Sequence, residues 1–170
     1  MRARLGFVTE DLSPYADDVV SLDAIVIAFY DTLSGAAGER DWDRFRYLFR
    51  PEATLSQAGV DGQGRRFIAT RALEHFIAGI APVLQQQSFF EYEISRRVDS
   101  FGCLAQVFST YEARVDPHDL EQVARGISAI QLFHDGERWW ILNMAWDDER
   151  PGESIPATYL PSYLGVDRPD

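Results

Sequence analysis

Apolar side chains recur at helical spacing through most of the first half of the chain, and from Ser88 onward they alternate with polar ones at the period of two that a strand imposes. Ser21 is the candidate cap of a first helix running from Leu22 to about Ser34. Leu22, Ile25, Ile27, Ala28, Phe29 and Leu33 give this helix a wide apolar face, and Asp23 stands in the first turn, where a negative charge is favoured. The Ser34-Gly-Ala-Ala-Gly38 stretch ends it. Asp41 reads as the cap of a short second helix with Trp42, Phe45, Leu48 and Phe49 at helical spacing, closed by Pro51. Ala53 to Gln57 reads as a short strand, Gly59, Gly62 and Gly64 as a loop, and Arg66 to Ala69 as the returning partner. Thr70 is then expected to cap a third helix with Leu73, Phe76, Ile77 and Ile80 on one face, limited or kinked by Pro82.

In the second half, Phe90, Tyr92 and Ile94 alternate with Glu91, Glu93 and Ser95, and Ser100-Phe-Gly102 turns the chain. Leu104 to Val115 is a long strand, Asp116-Pro-His-Asp119 a turn, and Val123 to Phe133 the next strand. His134-Asp-Gly136 is a strong hairpin signal before a last strand from Arg138 to Trp146. Helices first and antiparallel strands afterwards make the α+β pattern. The last strand is apolar on both faces: Trp140, Leu142, Met144 and Trp146 on one, Trp139, Ile141 and Ala145 on the other. Both faces of the sheet must therefore be covered. Three helices cover one. A second copy of the chain, giving a homodimer through the sheet face, is the expected cover for the other. The rival is the C-terminal tail, with Ile155, Tyr159, Leu160, Tyr163 and Leu164, folding back on the same face.

Composition narrows the class. The net charge of −11 comes from 16 basic and 27 acidic residues and gathers at the two ends. No basic patch is visible, so neither nucleic acid nor an anionic membrane is an expected partner. No run of apolar residues is long enough to span a bilayer, and the segment from Met1 to Val8 is too short in its apolar part for a signal peptide. The single cysteine, Cys103, has no disulfide partner within the chain, which fits a reducing cytoplasm, and its apolar run reads as a buried, inert thiol. Residues 1–20 read as an N-terminal arm with little structure, 21–147 as the domain, and 148–170 as a C-terminal tail packing on it. No cofactor is expected. No zinc motif or phosphate loop is present, and Asp147-Asp-Glu149 lacks the even spacing of a calcium loop, so no metal is expected.

Several segments in this order resemble the nuclear transport factor 2-like superfamily, which includes ketosteroid isomerase, scytalone dehydratase and polyketide cyclases. They are Ala28-Phe-Tyr-Asp-Thr-Leu33, Asp41-Trp-Asp-Arg-Phe, Leu48-Phe-Arg-Pro-Glu-Ala-Thr-Leu55, Leu132-Phe-His-Asp-Gly-Glu-Arg-Trp139 and Asn143-Met-Ala-Trp146. The resemblance runs roughly from Leu22 to Asp147. It implies a cone-shaped α+β barrel in which three N-terminal helices pack on a curved antiparallel sheet, with an apolar, aromatic-lined pocket for a cyclic compound. Against ketosteroid isomerase, Tyr30 matches the oxyanion-hole tyrosine and Trp146 an aromatic residue of the pocket. The carboxylate base falls on Gln57 and the protonated acid on Ala129. An amide cannot abstract a proton and an alanine cannot donate a hydrogen bond, so the residues do not make a ketosteroid isomerase.

The expected pocket is lined by Tyr30, Trp42, Phe45, Phe49, Gln57, Phe76, Tyr111, Ala129 and Trp146. Trp42, Phe49, Phe76 and Trp146 should meet in one cluster at the wide end of the cone. Tyr30 and His75 are the acid–base candidates, beside the plainer readings of a core tyrosine and a solvated helix histidine. His118 and His134 fall in turns. The function expected is a small-molecule binder or an isomerase-, dehydratase- or cyclase-like protein. The alternative is a non-catalytic homodimerisation or interaction module.

Overall fold

The computed structural model describes residues 13–119 and 121–161. Ser21 opens helix α1 (Leu22–Leu33) by accepting a hydrogen bond from the Ala24 amide at 3.0 Å. Asp41 does the same for α2 (Trp42–Tyr47), accepting from the Arg44 amide at 2.9 Å. The third helix, α3, spans Leu73–Gln86 and begins later than Thr70. The Thr70 hydroxyl meets Ser56 at 2.9 Å across strands β1 (Phe49–Val60) and β2 (Arg66–Ala72), which keeps residue 70 in the sheet. Pro82 lies inside α3 without ending it, and the turn beyond is anchored by buried Leu84.

The remaining strands are β3 (Phe90–Phe101), β4 (Leu104–Arg114), β5 (Ala124–His134) and β6 (Trp139–Asp148). They form one six-stranded sheet in the order β2-β1-β6-β5-β4-β3. Four pairings are antiparallel, but β1 and β6 run parallel, so the sheet is mixed rather than wholly antiparallel, and it is open. Parallel neighbours need a long connection; here everything from β2 to β5 supplies it. The helices pack on the inner face over a core of Ile25, Phe29, Phe45, Phe49, Leu55 and Ile130 among others.

A bulge alters the reading of β6. Leu132 pairs with Ile141 while the preceding Gln131 pairs with Asn143, so Leu142 is an extra residue. An extra residue reverses the alternation of faces beyond it. Ile141 is therefore fully buried in the core together with Met144, and Trp139 packs against that core. The expected outer patch of Trp139, Ile141 and Ala145 does not exist. Trp140 instead points outward, where its indole donates to Asp135 at 2.7 Å and the Arg138 guanidinium lies 3.7 Å from its ring centre.

The chain ends are tied down where they are described. Residues 13–20, expected as part of an unstructured arm, include the 3-10 turn Ala16–Val19, with Val19 buried and Asp18 paired to Arg44 at 2.7 Å. The C-terminal tail crosses the outer face of the sheet. Thr110 donates to the Tyr159 carbonyl at 2.7 Å, and the Tyr159 ring lies 5.2 Å from that of Phe108. Tyr163 and Leu164 lie outside the described residues. Cys103, expected to be buried, is exposed, because it follows the tight β3–β4 turn that Gly102 makes at φ 59°. No helix among the described residues is long and apolar enough to cross a membrane.

Candidate functional site

Between α1, α3 and the inner face of the sheet lies a cavity of about 380 Å³. That falls in the size range of small-molecule sites. Its apolar wall includes Phe29, Leu55, Phe76, Ile80, Met144 and Trp146, and its polar groups are Gln57, Arg71, Glu91, Tyr111 and Ser128. The inner face of β4 and β5 is set by alternation: Ser109, Tyr111 and Ser128 point in, while Phe108, Ile127 and Ala129 point out toward the tail.

Glu91 is the group with the most chemistry. At the start of β3 the usual arrangement is turned over. Tyr92 is exposed, while Glu91 lines the cavity and Glu93 reaches the buried Ser109. The backbone of Glu91 is fixed by Ser34, whose hydroxyl bridges its amide and carbonyl at 2.9 and 3.1 Å. Its carboxyl has no hydrogen-bond partner among the described residues. Burial, assisted by the negative charge of Asp148, pushes it up to about 8. A carboxyl with both forms populated near neutrality is suited to proton transfer in either direction.

Tyr111 donates to Asp148 at 2.6 Å. Burial and this bond hold the phenol protonated far above its ordinary range. The contact depends on Gly126, directly across the ladder. A methyl group there would overlap the Tyr111 hydroxyl and stand 2.5 Å from the Asp147 carbonyl oxygen. Tyr30 sits deeper, 4% exposed, with its hydroxyl 2.8 Å from Ser109. Ser109 in turn donates to Glu93 at 2.6 Å, and Glu93 accepts from Arg96 at 2.8 Å. Desolvation raises the Tyr30 phenol as well, so it is a neutral hydrogen-bonding group.

No protein-family model matches the chain, and no curated protein matches it in sequence. Solved structures do. A protein of unknown function with a cystatin-like fold from Nostoc punctiforme superposes with a TM-score of 0.56 at 13% identity, over 76% of this chain and 94% of that one. A candidate dehydratase of the nuclear transport factor 2-like family from Streptomyces avermitilis gives 0.54 at 11% identity, over 74% and 91%. This chain has the nuclear transport factor 2-like fold. A candidate Ca/calmodulin-dependent kinase II association domain from Exiguobacterium sibiricum is similar in the same way, with a TM-score of 0.51 at 17% identity over 77% and 92%. Identities this low establish the fold and leave the chemistry to the site.

Within this nuclear transport factor 2-like cone, Gln57, Phe76, Tyr111 and Trp146 line the cavity. The aromatic cluster is present. Phe45 and Phe49 form its buried base with the half-buried Trp42 edge-on against Phe45, and Phe45 stacks on Phe76 at 5.9 Å, which meets Trp146 edge-on at 6.0 Å. Tyr30, Trp42, Phe45 and Phe49, expected to line the pocket, pack in or against the core behind it instead, and two further positions differ from the sequence reading. Ala129 faces outward and borders the groove under the tail, so the residue that looks into the cavity from this part of β5 is Ser128. His75 is exposed on α3 and does not approach Tyr30, because the buried face of that helix carries Leu73, Ile77 and Leu84. His134 packs on Trp139 at 5.0 Å, and His118 is exposed. The acids after β6 are held by the protein itself: Asp147 by Arg150 at 2.6 Å, Asp148 by Tyr111, and Glu149 by Arg125 at 2.6 Å. Glu91, Arg71 and Ser128 escaped the sequence reading. The one available sign was Gly126 inside a strand, which marks a close approach.

Proposed function

We propose that this protein binds a small, cyclic, largely apolar compound in the cone cavity, and that Glu91 moves a proton on it in an isomerase-, dehydratase- or cyclase-like reaction. The observation that carries the reading is a partnerless carboxyl, raised toward neutrality, lining an aromatic cavity. In the simplest case the Glu91 carboxylate takes a proton from a carbon beside a carbonyl and returns it to another carbon, with no net change in protonation. Ser128 is the nearby hydroxyl that can orient the carbonyl, since the Tyr111 proton is already given to Asp148. Gln57 contributes an amide, which hydrogen-bonds without titrating. The chemistry needs no cofactor. The exposed free thiol of Cys103 supports a reducing, cytoplasmic setting.

A thermal-shift screen of steroids, terpenoids and aromatic polyketides should give a saturable rise for at least one class. In D₂O, a bound cyclic ketone should gain deuterium beside its carbonyl and stop doing so in Glu91→Gln. Binding without exchange leaves a carrier and removes the enzyme; no binding removes both.

A second reading, self-association, has its own support. Phe101 and Leu104 pair on the outer face beyond the tail, 89% and 53% exposed, and Phe133 stands opposite Leu104. An apolar group of this kind suits a twofold contact with a second copy. Sedimentation equilibrium decides it: a homodimer is expected, and Phe101→Glu should return it to monomer.

A further inference from the structure

Arg71 has no part in the reading just given, yet it lines the cavity. All 16 basic residues of the chain are arginines, of which Arg2, Arg4 and Arg168 lie outside the described residues. Every other described arginine holds a carboxylate, a backbone carbonyl or an aromatic ring. Among the described residues, Arg71 alone holds none. In a chain of net charge −11, an arginine left without an acid, a carbonyl or a ring is conspicuous.

Its direction is set by the sheet. Arg71 stands opposite Leu55 in the β1–β2 ladder, and residues directly opposite share a face. Leu55 is fully buried in the core, so the stem of Arg71 leaves the sheet on the cavity side while its end stays solvent-accessible at the mouth. Glu91, the other ionisable end of the cavity, belongs to β3, at the opposite edge of the sheet. The cavity thus has a cation at one edge, a proton-exchanging acid at the other, and aromatic rings between them.

We infer that the ligand carries a carboxylate on its ring system, received by Arg71 at the mouth while the rings occupy the apolar wall. This rests on the cavity being a ligand site. A planar guanidinium matches a carboxylate with two parallel hydrogen bonds. A phosphate dianion would call for further cations, and the residues lining the cavity include no other. An exposed guanidinium is partly screened, so its effect is about tenfold in affinity rather than a hundredfold.

The test uses 1-naphthylacetate and 1-naphthylacetamide, similar in shape and different in charge, titrated calorimetrically into the wild type, Arg71→Ala and Arg71→Lys. The acid should bind the wild type about tenfold more tightly than the amide. The preference should vanish in Arg71→Ala and partly return in Arg71→Lys, with amide affinity level throughout. Equal binding of acid and amide to the wild type, or a preference that survives Arg71→Ala, overturns the assignment and leaves the cavity as a ligand site. Failure of both compounds to bind overturns the ring-in-cavity reading with it.

Discussion

Replacing Glu91 by glutamine probes the energetics of the cavity as well as its chemistry. Desolvation, with a smaller contribution from Asp148, lifts the Glu91 carboxyl from the usual 4.5 to about 8. Between those values the folded chain keeps a proton that the unfolded chain has released. Stability therefore falls as pH rises through that window and levels off above it. At roughly 1.4 kcal/mol per tenfold change, the full effect is on the order of 4–5 kcal/mol, and water entering the open cavity reduces it to about 2–4 kcal/mol. Glutamine resembles the protonated acid in shape and has no charge to desolvate. Glu91→Gln should match the wild type at about pH 5 and exceed it by that amount at about pH 9. Urea unfolding across a pH series measures both. Parallel profiles for the two proteins would show that the carboxyl is well solvated, and the argument for Glu91 as a poised acid would fall.

Gly126→Ala should lose about 1–3 kcal/mol, because the added methyl overlaps Tyr111 and the Asp147 carbonyl; an unchanged urea midpoint would mean that the two strands separate freely there. A chain ending at Arg150 should aggregate or self-associate more than the full chain in sedimentation runs, since Phe108, Ile127 and Ala129 lose their cover; a truncated chain that behaves like the parent shows the tail to be dispensable. Any isomerisation of a β,γ-unsaturated ketosteroid should rest on Glu91 and not on residue 57, because the Gln57 amide cannot act as the base; turnover that survives Glu91→Gln would refute the assignment of the base.

What could be read from the sequence was local. Ser21 and Asp41 cap their helices through bonds to residues three positions on, so their neighbours announce them. The aromatic cluster followed from helical spacing for Trp42, Phe45 and Phe76 plus the parity of Trp146, which lies beyond the bulge and on the same side of it as Met144; Phe49, read onto the second helix, opens β1 instead. What could not be read was settled by partners far along the chain. Thr70 looks like a helix cap until Ser56 is beside it. Leu142 carries none of the glycine or proline marks of a bulge, yet its insertion moves Ile141 from the outer face to the core. Ser128 and Ala129 differ by one step, and that step decides which faces the cavity. Glu91 was hidden by the strongest rule of all, since a carboxylate alternating with aromatics reads as the wet side of a strand.

The place of β6 in the sheet has a consequence for how the protein is made. β6 is the last strand along the chain, yet it sits between β1 and β5. Until it arrives, the sheet is two separate pieces: the β1–β2 hairpin with α3 behind it, and the β3–β4–β5 meander. Each then presents a raw inner edge, with Ile130 and Leu132 on one side and Leu55 on the other uncovered. A chain emerging from the ribosome cannot close this gap before residue 148 is free, so the cone assembles in one late, cooperative step. Any delay after β5 has emerged and before Asp148 follows it would prolong the interval in which these two edges are open to other chains.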